Sequence, residues 1–134
     1  MKCFKKCAVL AAVVLLCACL GGCGKYASSY VTTMMVRTAK SKEVKVSFST
    51  LKGTLVEKLK CDGKEGRELK YSAELGTGTI KVYYDIDGTK EELFTITDGE
   101  KIEDSLGELK KGTIHIFLET DGKAEDGKFE FKIE

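Results

Sequence analysis

His115 is the only imidazole in the sequence and the first side chain to consider for catalysis. A histidine that acts as a general base needs a nucleophile and an orienting acid placed beside it by the fold. Thr113, Phe117 and Glu119 alternate with it along the chain. A lone histidine in a strand is usually structural, so we expect no catalytic residue. A small hydrolase that uses His115 with a nearby acid such as Glu119 is the alternative.

Side chains that could bind a metal ion are few. A zinc site takes three or four Cys or His ligands, and beyond residue 23 the sequence offers only Cys61 and His115. Asp85-Ile86-Asp87-Gly88 resembles the start of a calcium loop, but the third ligand position and the spaced bidentate acid are missing. Ile86 belongs to the core alternation, and a hairpin turn at Asp87-Gly88 is sufficient to explain this segment. We therefore expect no metal and no cofactor, and a packed, inert thiol at Cys61.

Three side chains form a candidate binding surface. Tyr83 and Phe117 alternate with the apolar positions of their own segments, and His115 shares the phase of Phe117. If the two segments are neighbouring strands, Tyr83, His115 and Phe117 make an exposed patch that would bind a protein or a glycan. Two alternatives remain open: a loop or the N-terminal segment covers this face, or this face is the true core.

The elements that must position these residues are β-strands. Apolar and polar residues alternate with period two, which is the pattern of strands with one buried face. The clearest runs are Val44–Phe48, Ile80–Ile86, Ile114–Leu118 and Phe129–Ile133, and weaker ones are Val31–Thr38, Thr54–Lys60, Glu68–Glu74 and Leu93–Thr97. Between 102 and 109 we predict a strand followed by a loop, with one helical turn as the alternative.

Asp-Gly pairs separate most of these runs. Such pairs supply the positive-φ residues that tight hairpin turns require. They occur at Asp62-Gly63, Asp87-Gly88, Asp98-Gly99, Asp121-Gly122 and Asp126-Gly127. Short strands with a turn about every ten residues are typical of a sandwich or a barrel. We therefore predict an all-β fold, an antiparallel β-sandwich of eight or nine strands, for residues 30–134.

Residues 1–22 have the organisation of a secretory signal. Lys2, Lys5 and Lys6 form a cationic start without an acid, and an apolar run follows from residue 7 to residue 20. A basic start, a short apolar region and a small-residue exit are typical of a signal peptide. A transmembrane helix is the alternative, but a span needs about 20 apolar residues and this run is shorter.

Leu20-Gly21-Gly22-Cys23 resembles the lipobox of bacterial lipoproteins. The resemblance implies that the signal is cleaved before Cys23, and that Cys23 carries the lipid that holds the protein on the extracytoplasmic face of the cell membrane. Cys19, preceded by Leu16-Cys17-Ala18, is a poorer match. The predicted organisation is a signal peptide at 1–22, a lipidated cysteine with a short tether at 23–29, and the β-domain. At about 3.4 Å per residue the tether spans about 20 Å, so the domain stays near the membrane.

Removal of the signal changes the cysteine count and the charge. Among the cysteines only Cys61 would remain unmodified, so no intrachain disulfide is expected. Three of the 22 basic residues leave with the signal and all 21 acids stay, which gives the mature chain a net charge of −2 with His neutral. This balance argues against nucleic acid as a partner and against electrostatic adhesion to an acidic bilayer. We therefore expect the lipid on Cys23 to be the only part of the protein that contacts the membrane.

The end of the chain carries a second resemblance. Residues 109–116 and 127–131, with a glycine turn between them, are similar to the last hairpin of small jelly-roll-like lipoprotein domains of Gram-positive bacteria. Those families are largely without assigned function. The resemblance implies a jelly-roll-like sandwich in the cell envelope and adds no catalytic group. The sequence therefore predicts a membrane-anchored, non-enzymatic binding or envelope-accessory domain.

Overall fold

A computed structural model describes residues 26–134, and within this range every regular element is a β-strand. The strands are β1 (Ser29–Thr33), β2 (Val36–Ala39), β3 (Glu43–Cys61), β4 (Leu69–Thr77), β5 (Thr79–Asp85), β6 (Lys90–Thr97), β7 (Lys101–Leu106) and β8 (Gly112–Ile133). All their pairings are antiparallel. The all-β, antiparallel prediction and the predicted number of strands are confirmed.

Two long strands, β3 and β8, pair with each other over most of their length and organise the fold. The first part of β3 and the second part of β8 join β2, β4 and β7; we call this half sheet A. The second part of β3 and the first part of β8 join β5 and β6 as sheet B. Strand β1 pairs with residues 50–54 of β3, between the two halves.

The two halves face each other across one apolar core. Tyr71 of sheet A stacks on Phe94 of sheet B, with ring centroids 5.2 Å apart. The alternation predicted from the sequence is the alternation observed, because the apolar members of each clear run point inward. Fully buried core residues include Val44, Leu55, Ile80, Val82, Ile114, Ile116, Leu118, Phe129 and Phe131. Residues 101–106 form a strand followed by a loop, as predicted.

One ion pair lies at the edge of this core. Glu57 occupies an inward position between Leu55 and Leu59, and its side chain is only 3% exposed. Arg37 on β2 donates two hydrogen bonds to it, from Nε to Oε2 at 2.5 Å and from Nη2 to Oε1 at 2.7 Å. A buried carboxylate without such a partner is costly, so the pair fixes β2 against sheet B. The bonds to Glu57 raise the pKa of Arg37, which therefore stays charged.

The predicted turns at Asp121-Gly122 and Asp126-Gly127 are wrong, because both pairs lie inside the continuous strand β8. The terminal hairpin expected between residues 109 and 131 is therefore absent. Lys52 pairs with Lys123, and Thr54 pairs with Glu119. Between these two pairs β8 has more residues than β3, and a β-bulge takes up the difference. Gly122 (φ 78°) and Asp126 (φ 55°) use their positive φ to bend the strand instead of reversing it.

Two other predicted strand boundaries differ from the structure. The runs 44–48 and 54–60 belong to the single strand β3, in which Gly53 has φ 120°. A Cβ at Gly53 would lie 2.3 Å from the carbonyl oxygen of Ser29, so the close passage of β1 requires glycine there. Conversely, the run 31–38 is divided between β1 and β2, because Met34 adopts a left-handed conformation with φ 53°.

Candidate binding surfaces

The predicted aromatic patch lies on the outer face of sheet B. Strands β5 and β8 are neighbours, with Tyr83 paired to Phe117 and Asp85 paired to His115. The segments that carry Tyr83 and Phe117 are therefore neighbouring strands, as the predicted patch requires. We call Tyr83, His115 and Phe117 the aromatic face.

Tyr26 covers this face. Its ring contacts His115 edge-on at a centroid distance of 4.9 Å and lies perpendicular to Phe117 at 4.7 Å. Phe117 is consequently only 3% exposed, while Tyr83 and His115 are half-buried. Of the alternatives that the sequence left open, coverage by the N-terminal segment is the one observed. A ligand contacts the ring of Phe117 only if Tyr26 moves away.

A hydrogen bond fixes Tyr26 in this position. The Tyr26 hydroxyl donates to Oδ2 of Asp85, whose other oxygen accepts the Gly88 amide at 2.6 Å. Asp85 is 3% exposed, so both bonds compensate for the burial of its carboxylate. The bond to Asp85, burial and the negative charge of Asp85 all raise the pKa of Tyr26 above its usual value of 10.0. The phenol is therefore protonated and able to donate at neutral pH.

Lys90 of β6 completes the cover on the other side of the patch. Its Nζ lies 4.7 Å from the ring centroids of both Tyr83 and Phe117 and 2.5 Å from Oε2 of Glu119. Ammonium groups are attracted to aromatic faces at this separation. Glu119, the acid considered as a partner for His115, is thus engaged by Lys90. The ring contact of His115 is instead with Tyr26.

Sequence reasoning missed Tyr26 and Asp85 as parts of this site. Of residues 26–29, which are predicted to belong to the tether, Tyr26 and Ser28 contact sheet B, and Ser29 is already in β1. Asp85 is predicted only as a polar position of the alternating run 80–86, outside the candidate patch. Its phase in the strand, two residues from Tyr83, was the available signal that it lies on the same outer face. Cys61 is a buried free thiol at the end of β3.

Across strands β3, β4, β7 and β8 the outer face of sheet A is polar and open. Paired positions carry charges of both signs and serines, as in the row Lys45, Glu130, Ser72, Glu103 and the row Ser47, Lys128, Glu74, Lys101. We call this the charged face. Two open grooves of about 470 Å³ each run along it, where β4, β7 and β8 adjoin. Their linings offer hydroxyls, carboxylates and ammonium groups, and these suit a polar partner.

No three His, Cys, Asp or Glu side chains within residues 26–134 are arranged to hold a metal ion. In the same range the structure has no helix able to span a bilayer. The predicted signal peptide and Cys23 lie outside the described residues.

No protein-family model matches the sequence, and no curated protein matches it. Several solved structures share its general architecture. The pre-peptidase C-terminal domain of a collagenase from Bacillus anthracis has a TM-score of 0.47 and 14% identity, and the match covers 72% of this chain and 91% of that one.

Two carbohydrate-binding modules are also similar in fold. A family 29 module solved with mannohexaose has a TM-score of 0.40 and 14% identity, over 80% of this chain and 89% of that one. A family 61 module solved with β-1,4-galactotriose has a TM-score of 0.42 and 16% identity, over 81% of each chain. TM-scores and identities this low carry no argument about a ligand or an activity.

Proposed function

We propose that this protein is an extracytoplasmic lipoprotein, anchored to the cell membrane through Cys23, whose β-sandwich binds a partner without catalysis. The observation that supports the anchor is the lipobox-like Leu20-Gly21-Gly22-Cys23, and Tyr26, which packs on the domain three residues later, limits the distance between the two. Three residues span at most about 10 Å. A lipid on Cys23 would therefore hold the domain directly at the membrane surface.

The anchor is tested by following fatty-acid incorporation in cells. Cys23→Ala should abolish incorporation and leave uncleaved precursor, whereas Cys19→Ala, the matched control within the poorer motif, should retain both incorporation and cleavage. Incorporation that persists in Cys23→Ala and disappears in Cys19→Ala would overturn the assignment.

The charged face is the accessible surface through which we expect the domain to bind. The aromatic face carries Tyr26, whereas the grooves on sheet A are open. The partner is best sought by chemical cross-linking in intact membranes. A Ser72→Lys/Glu130→Lys variant should lose cross-linked partners, because it replaces a serine and a carboxylate at the centre of one row of the charged face by two ammonium groups.

A matched control and a folding check complete this experiment. Tyr83→Lys introduces one positive charge on the outer face of sheet B and should leave the cross-links in place. Far-UV circular dichroism establishes that both variants are folded. If Tyr83→Lys loses the cross-links and the charged-face variant keeps them, the partner binds at the aromatic face and the proposed role of the charged face is wrong.

A further inference from the structure

The exposed apolar side chains of the domain are concentrated in one short segment. Within residues 26–134 the large hydrophobic residues that stand exposed are Val31, Met34 and Val36, at 73%, 80% and 65%. Val31 points outward from β1 beside Lys52, and Val36 points outward from β2 beside Ser47. Met34 stands between them at the junction of the two strands. Such a group of exposed apolar residues marks a contact surface.

The conformation of Met34 makes its exposure a fixed feature of the fold. Its φ of 53° is unfavourable for a residue with a large side chain, yet the strands on both sides hold it there. Strand β2 pairs with β3, and in the described part of the chain it has no other neighbour. The segment 31–36 is thus an uncovered edge with an exposed methionine between its two strands.

The charge of the same region differs from that of the whole chain. Between residue 24 and residue 42 the sequence has four basic residues and no acid, and the first acid of the chain is Glu43. Arg37 and Lys42 are paired with Glu57 and Asp62. Lys52 lies exposed beside Val31, whereas Lys45, beside Thr38 on the outer face, is 3.7 Å from both Glu43 and Glu130. The acids of the mature chain all lie beyond residue 42 in the sequence, and Lys52 is an exposed cation next to the apolar edge.

We propose that the β1–β2 edge is a membrane-contact surface, in which Val31, Met34 and Val36 enter the interfacial region of an anionic bilayer. Apolar side chains flanked by cations suit this region, because the former leave water and the latter meet headgroup phosphates. The proposal rests on the anchor at Cys23, since Met34 follows that residue by only 11 positions. It also replaces the expectation that the lipid alone reaches the membrane.

The two adjacent methionines provide an internal test. Met34 is 80% exposed and Met35 is half-buried against the core, so in solution chloramine-T should oxidise Met34 first. The mature chain is coupled through its Cys23 thiol to a maleimide lipid in vesicles of phosphatidylcholine with about one third phosphatidylglycerol. Tandem mass spectrometry then measures the oxidation of each methionine. We expect the oxidation of Met34 to slow about tenfold or more, and that of Met35 to change little.

Because the lipid is coupled chemically, the oxidation test does not depend on whether cells acylate Cys23. Acylation itself is tested separately, by fatty-acid incorporation in cells. Unchanged oxidation of Met34 on the vesicles would overturn the membrane contact even if Cys23 is acylated in cells. Protection that appears in solution as protein concentration rises, without vesicles, would also overturn it and would assign the edge to a second copy of the chain.

A set of variants links the protection to the apolar edge. In the mature chain with Cys23→Ser, Val31→Ser/Met34→Ser/Val36→Ser should weaken partitioning into the same vesicles about tenfold. Thr33→Ser/Thr38→Ser is the matched control, because it alters outward positions of the same strands that are already polar. Equal partitioning of the triple variant and this control, with both folded by circular dichroism, would contradict the proposal.

Discussion

The hydroxyl of Tyr26 donates a hydrogen bond to the buried carboxylate of Asp85, 59 residues further along the chain. This contact joins the segment next to the proposed anchor to the far side of sheet B. It also places the Tyr26 ring over Phe117, so the aromatic face is covered by the chain itself. The contact therefore places Tyr26 on the domain and outside the tether predicted for residues 23–29.

Tyr26→Phe should destabilise the domain by about 1–3 kcal/mol, because it retains the ring but removes one donor from the buried Asp85 carboxylate. The free energy of unfolding in urea measures the loss. Tyr83→Phe is the control, since its ring lies under Lys90 in either form, and it should change the free energy by less than about 0.5 kcal/mol. Equal effects of the two substitutions would contradict the role given to the Tyr26–Asp85 bond.

The contribution of this bond should depend on alkaline pH. The pKa of Tyr26 is raised in the folded state by its bond to Asp85, so the stabilisation is complete below the unfolded value of 10.0 and decreases as pH rises through the folded value. The difference in unfolding free energy between wild type and Tyr26→Phe should be constant below that pH and shrink above it. Urea titrations from about pH 8 to about pH 11.5 measure it. Tyr71 and Tyr84 also have raised pKa values, but they cancel because both proteins contain them.

Arg37→Leu should cost about 3 kcal/mol, because it leaves Glu57 charged and buried without a partner. The double variant Arg37→Leu/Glu57→Leu should return to within about 1 kcal/mol of wild type, since no charge is then buried. A double-mutant cycle by chemical denaturation provides the comparison. Lys45→Ala, which breaks exposed ion pairs to Glu43 and Glu130, should cost less than about 1 kcal/mol. A double variant as unstable as Arg37→Leu would mean that the pair contributes more than charge compensation.

Phe131→Ala should cost about 3–5 kcal/mol, and Lys132→Ala should cost little. Phe131 is fully buried and Lys132 lies on the outer face. The two residues are adjacent in β8, so the comparison tests which side of the strand faces the core. Comparable losses in denaturant unfolding would show that the register of β8 is shifted.

Only part of the candidate site could be predicted from the sequence. The alternation of residues 80–86 and 114–118 predicted that Tyr83, His115 and Phe117 share a face of their strands, because side chains in a strand alternate with period two. The alternation could not predict the pairing of β5 with β8, which depends on contacts between residues 30 or more positions apart. The alternation also could not predict that Tyr26 covers the aromatic face, because no pattern in the residues around Tyr26 distinguishes it from other tyrosines in a polar segment.

The sequence by itself determined the all-β class, the inward and outward positions of each clear strand, and the turn at Asp98-Gly99. These features depend on side-chain period and on residues that favour positive φ, and both are local properties. The tertiary structure decided whether an Asp-Gly pair reverses the chain or bends it. At Asp121-Gly122 and Asp126-Gly127, pairing of β8 along the length of β3 outweighs the turn preference, because reversing the chain would forfeit the hydrogen bonds and buried side chains of that long ladder.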